Sequence, residues 1–132
     1  MSLDVDITDF FDVPPEEVWK SLTDPKVLAD WLMPNDFVAE VGRAFKFVPD
    51  HVTPWDGDVE CHVLQIVPLQ KMVWSWKTNG MNRPSRIEFV LVPKRSGTEL
   101  HFKHFGDADE GLAKGLKGGW PDRFERLKRS TS

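Results

Sequence analysis

Any chemistry in this chain has to come from a small set of side chains: four histidines, one cysteine and the carboxylates around them. His101 and His104 stand three residues apart. On a strand that spacing sends them to opposite faces, so they do not form one metal pair. His62, Cys61, Asp56 and Asp58 add scattered donors without the spacing of a tetrahedral site, and no metal is expected. Asp56-Gly57-Asp58 reads as a turn. His104 should point inward from its strand, but no Ser, Cys or Asp stands at a spacing that would make a nucleophilic set with it. Its plain reading is an inward histidine hydrogen-bonded to backbone or a carboxylate. Cys61 shares the face of Val59 and Val63, where an apolar setting keeps a thiol protonated and inert. No catalytic residue and no cofactor are therefore assigned.

The aromatic residues are the stronger signal. Six Trp and nine Phe with no Tyr provide wide apolar surfaces with few hydroxyl groups, which suits a core or a greasy cavity better than a polar cleft. Trp19 and Trp31 read as ordinary core. Trp74, Trp76 and Trp120 should converge between a sheet and the last helix, where a domain this small has difficulty close-packing so many rings, and unfilled volume there is a candidate ligand site.

These residues need elements to position them. Val5, Ile7, Phe11 and Val13 alternate with Asp4, Asp6, Thr8 and Asp12 as a half-buried strand, with Asp9 the one polar residue on the apolar side. Pro14-Pro15-Glu16-Glu17 starts a helix that runs to about Leu22, and Asp24-Pro25 caps a second, short one that Pro34 stops. Short strands are predicted at 37–41 and 44–48, turning at Gly42, then a loop at 49–58 that carries Trp55. Longer antiparallel strands follow at 58–67, 72–78, 86–92 and 98–105, six strands in all after the two helices. Alternation sends Met72, Trp74 and Trp76, then Phe89, then Phe102 and His104 to one face. The tail from Asp109 is helical, with Leu112, Leu116, Trp120, Phe124 and Leu127 on one side, and Gly118, Gly119 and Pro121 predict a kink or break before 122–129. A sheet with one apolar face has to cover it, and a long amphipathic helix does so. The fold class is α+β, and strong curling of the sheet would leave a cavity beneath the helix.

Bulk properties narrow the class of function. A chain of 132 residues with 40% hydrophobic and 29% charged residues makes one globular domain over 1–132, able to bury about two-thirds of its unfolded surface. The net charge of −4 argues against a nucleic-acid partner, and the basic residues from Lys114 to Arg129 read as a solvated helix face. The single cysteine excludes an intrachain disulfide, and with neither a signal-peptide pattern nor a membrane-spanning stretch the expected location is the cytoplasm.

The string from Glu17 to Trp31, EVWKSLTDPKVLADW, resembles the opening helices of the family of activator of heat-shock protein 90 ATPase homologue-like proteins, in the START-like (SRPBCC, birch-pollen allergen-like) superfamily. Val41-Gly42 with Phe45 and Phe47, residues 63–68, Trp76, Thr98 with Leu100 and His104, and Gly119-Trp120 follow in the family's order and extend the likeness over nearly the whole chain. The resemblance implies a helix-grip fold, with strands wrapped around the C-terminal helix and a hydrophobic tunnel between them. The function it implies is binding of a small apolar molecule. The expected pocket lining is Phe45, Phe47, Trp55, Cys61, Met72, Trp74, Trp76, Phe89, Phe102, His104, Leu112, Leu116 and Trp120. Two alternatives stand beside it. One is a protein-interaction module that contacts heat-shock protein 90 or another partner, although the separate N-terminal domain of the eukaryotic co-chaperone has no counterpart where strand residues begin so near Met1. The other is a polyketide cyclase-like enzyme with His104 as acid or base. A second copy, in a homodimer, is admitted as a partner.

Overall fold

The computed structural model describes residues 2–49 and 58–131. Trp55 and most of the expected loop therefore lie outside the described residues. The chain forms β1 (Ser2–Phe11), α1 (Pro15–Thr23), α2 (Pro25–Trp31), β2 (Ala44–Phe47), β3 (Val59–Val67), β4 (Lys71–Lys77), β5 (Ser85–Lys94), β6 (Gly97–Asp107) and α3 (Glu110–Thr131). The strands make one antiparallel sheet in the order β1-β6-β5-β4-β3-β2. The curved sheet carries the long α3 across its inner face, with α1 and α2 packed beside it, and this is a helix-grip fold.

Local chemistry accounts for most boundaries. Pro15 and Pro25 open α1 and α2, where a missing amide hydrogen removes nothing from the helix, and the Asp24 carboxylate accepts from Lys26 N at 2.9 Å. The β5–β6 turn brings Gly97 so close to β1 that a Cβ there would collide with the carbonyl oxygen of Phe11. Asp109 starts α3 by accepting from Leu112 N at 2.8 Å.

Two sequence expectations are corrected. Residues 37–41 are not a strand, so five strands rather than six follow the helices among the described residues. Side chains there take over the backbone's partners: Asn35 Oδ1 accepts from Phe37 N at 3.0 Å, Asp36 Oδ1 accepts from Lys46 N at 2.7 Å, and Arg43 N closes a turn onto Glu40 O at 3.1 Å. Phe37 is buried all the same, its ring 5.0 Å from Phe45 and 5.7 Å from Trp74. The predicted break at Gly118 to Pro121 is absent, because α3 runs unbroken from Glu110 to Thr131 with Pro121 inside it. Trp120 and Phe124, on either side of the proline, are both buried with ring centroids 6.0 Å apart, and that packing outweighs the local preference to break.

Asp9 also gains a physical reason. It shares the inward side of β1 with Val5, Ile7 and Phe11 and meets Lys128 Nζ of α3 at 2.7 Å, tying the edge strand to the end of the helix. That contact raises the pKa of Lys128 above its ordinary value.

Candidate functional site

Period-two alternation on β4 sends Met72, Trp74 and Trp76 to the inner face, where none of them has exposed surface. Phe45 and Phe47 on β2, Cys61 on β3, Phe89 on β5 and Phe102 and His104 on β6 share that face, and Leu112, Leu116 and Trp120 are buried from α3. Twelve of the thirteen expected site residues are thus buried in one layer, and Trp55 is the one not described.

The rings occupy the space between sheet and helix in two linked groups. Trp120 lies 5.5 Å from Trp76, 4.6 Å from Phe102 and 5.8 Å from His104 between ring centroids. Trp74 lies 5.3 Å from Phe45, 5.9 Å from Phe47 and 5.0 Å from Phe89. Phe47 joins the groups, since it also lies 5.5 Å from Trp76. Such separations are those of interacting aromatic pairs. The surface carries hollows elsewhere. One of ≈ 350 Å³ opens beside the β2–β3 edge, with Phe45, Cys61 and the outward-facing Lys46, Glu60 and His62 in its lining.

The polar chemistry of the layer centres on His104. Trp120 Nε1–H donates to His104 Nδ1 at 3.0 Å, and indole nitrogen is only ever a donor, so Nδ1 is the unprotonated nitrogen of a neutral ring. Nε2–H then donates to Ser85 Oγ at 2.7 Å, and the Ser85 hydroxyl donates to the carbonyl of Trp76 at 2.6 Å. The His104 ring nitrogens, the Trp120 N–H and the Ser85 hydroxyl are thus all engaged. Burial pushes the His104 pKa down from 6.5 to about 3. Cys61 goes the other way: burial, with Asp36 and Glu60 nearby, raises its thiol far above the ordinary value and keeps it protonated. His101, on the outer face, contacts Glu99 at 2.6 Å and Thr8 at 3.3 Å and does not meet His104. Among the described residues no three His, Cys, Asp or Glu side chains converge as metal ligands.

The structure adds three residues to those expected. Ser85 completes the His104 chain, and its signal was available, because the inward alternation of Ile87 and Phe89 extends one step back to it. Phe37 joins the Trp74 group from an irregular segment, where periodicity carries no signal. Phe124 stacks on Trp31 of α2 at 5.9 Å, which the helical stripe of α3 already implied as burial.

With this geometry established, comparison with known proteins gives the family. The family described as Activator of Hsp90 ATPase homolog 1-like protein matches residues 12–131. The chain belongs to that family. Among solved members of this structural group, protein MLL2253 from Mesorhizobium loti is 31% identical, with 96% of this chain and 94% of that one covered at a TM-score of 0.85. Protein BH1534 from Bacillus halodurans is 26% identical over 100% of both chains, with a TM-score of 0.80. The Aha1 dimer from Colwellia psychrerythraea shares the fold at 19% identity, covering 98% of this chain and 96% of that one at a TM-score of 0.80. Comparison with curated proteins returned no match. No helix among the described residues of this Activator of Hsp90 ATPase homolog 1-like chain is long and apolar enough to cross a membrane.

Proposed function

We propose that this chain is a binding module for a small, largely apolar molecule taken up between the inner sheet face and α3. The observation that carries this reading is the continuous layer of Trp, Phe and Met side chains that β2, β4, β5, β6 and α3 direct to one place. Burial against such a layer contributes about 25 cal/mol per Å² of apolar surface. Because rings already occupy the layer, uptake requires some of them to move, and the affinity is lowered by the fraction of time the layer is closed.

The helix most concerned is suited to moving. Gly111, Gly115, Gly118, Gly119 and Pro121 all lie within α3. Each glycine weakens a helix by about 1 kcal/mol relative to alanine, and an interior proline by about 3 kcal/mol. Its conformation therefore rests on the burial of Leu112, Leu116, Trp120, Phe124 and Leu127. A ligand that replaces part of that burial shifts the balance with little intrinsic resistance.

Binding is favoured over catalysis by the state of the titratable groups. Both nitrogens of His104 are engaged, its pKa stands near 3, and the Cys61 thiol stays protonated, so neither exchanges a proton readily at neutral pH. Native mass spectrometry of freshly purified protein tests the reading. A retained small molecule, released by organic solvent, supports it. A protein that carries no adduct and acquires none from a panel of lipophilic compounds speaks against it.

A further inference from the structure

Four buried tryptophans in the described residues divide into two kinds. Trp31 Nε1–H donates to Ser21 O at 2.9 Å and Trp120 Nε1–H to His104 Nδ1 at 3.0 Å. Trp74 Nε1 and Trp76 Nε1 are buried with no acceptor. A buried donor left unmatched costs about 1–3 kcal/mol, so two of them on one strand call for an account. They stand two residues apart on the same face of β4, about 7 Å along the strand. Phe37, Phe45, Phe47 and Phe89 surround Trp74, and their side chains offer no oxygen or nitrogen to accept a hydrogen bond.

We infer that Trp74 and Trp76 are the polar recognition elements of the site, and that the molecule bound is uncharged and presents oxygen acceptors such as carbonyls to their indole N–H groups. This inference rests on the ligand-binding reading above and specifies its chemistry. A charged ligand fits poorly. No Asp, Glu, Lys or Arg is among the buried described residues, so an ionised group taken into this layer would have no counter-charge. His104 is not the recognition group, because both of its nitrogens are already committed.

One phenyl ring borders both indoles. Phe47 touches both indoles and sits on β2, a four-residue strand that pairs with β3 on one side and is bonded to Pro34, Asn35 and Asp36 on the other.

The test uses two neutral molecules of matched shape, 1,4-diacetylbenzene and 1,4-diethylbenzene, titrated into the full chain. The six indole N–H resonances are followed by nitrogen-15 NMR. The dicarbonyl should bind roughly three- to tenfold more tightly, the worth of one ordinary hydrogen bond, and shift the Trp74 and Trp76 indole protons downfield. Trp74→Phe and Trp76→Phe should each reduce the preference, and Trp19→Phe should leave it intact. If a Phe variant fails to fold, the wild-type indole shifts decide alone, with assignment by selective labelling. Both molecules binding equally, without indole shifts, overturns this inference and leaves the apolar-binding reading standing. Neither molecule binding overturns both.

Discussion

Trp120 Nε1 donates to His104 Nδ1 at 3.0 Å, and this single contact settles the tautomer of a fully buried histidine. It links α3 to β6 and, through Ser85, to the backbone of β4. Protonating His104 would place a second N–H against the indole donor, so the contact survives only while the ring is neutral.

The pH dependence of stability follows from that. His104 titrates near 3 in the folded protein and at 6.5 as its ordinary value, so its contribution is complete above pH 6.5 and is lost as pH falls toward 3. Below 6.5 the unfolded chain binds a proton that the folded chain refuses. From pH 7 to pH 5 this one group should remove about 2 kcal/mol of stability. Urea unfolding of wild type and His104→Gln at both pH values measures it, and the acid-side slope should be shallower in the variant. Parallel slopes would show that His104 is not buried and neutral.

Ser85→Ala should destabilise the protein by about 1–3 kcal/mol, because Nε2–H of His104 and the carbonyl of Trp76 both lose their partner in a buried setting. The same urea experiment reads the loss at pH 7. A change within error of zero would show that the hydroxyl is not part of the chain of bonds.

Two glycines should respond in opposite directions. Gly118 lies within α3 with nothing near an added Cβ, so Gly118→Ala should raise stability by about 0.4–1 kcal/mol. In Gly97→Ala the new methyl meets the Phe11 carbonyl, and the β1–β6 pairing has to shift to admit it. Thermal unfolding of both should give a higher midpoint for the first and a clearly lower one for the second.

The Asp9–Lys128 contact should be worth less than about 1 kcal/mol, as for other partly exposed ion pairs. A double-mutant cycle of Asp9→Asn and Lys128→Met at low and high salt should show a small coupling that salt reduces. Zero coupling at low salt would mean that the pair does not hold β1 to α3.

How much of this was legible in the sequence depends on which residues are asked about. Met72, Trp74 and Trp76 were readable because a strand's period of two needs no other information, and the inward placement of His104 followed by the same rule. Phe37 was misplaced into a strand because Asn35 and Asp36 divert backbone hydrogen bonds to their own side chains, a competition that periodicity does not register. Pro121 favours a break on local grounds, and that expectation fails because the burial of Trp120 and Phe124, which only the assembled core supplies, overrides it. The convergence of the candidate residues was foreseeable, whereas the filling of the space beneath α3 by their own rings depends on rotamers that no sequence pattern encodes.

The ligand-binding account is tested most directly by titrating the protein with N-phenyl-1-naphthylamine, a neutral apolar fluorophore, while exciting tryptophan. The account predicts a saturable one-to-one transition in which tryptophan emission is quenched, probe emission rises and shifts to the blue, and both changes are reversed by an apolar competitor. Tryptophan emission that stays constant, with the probe emitting as it does in buffer, would contradict it.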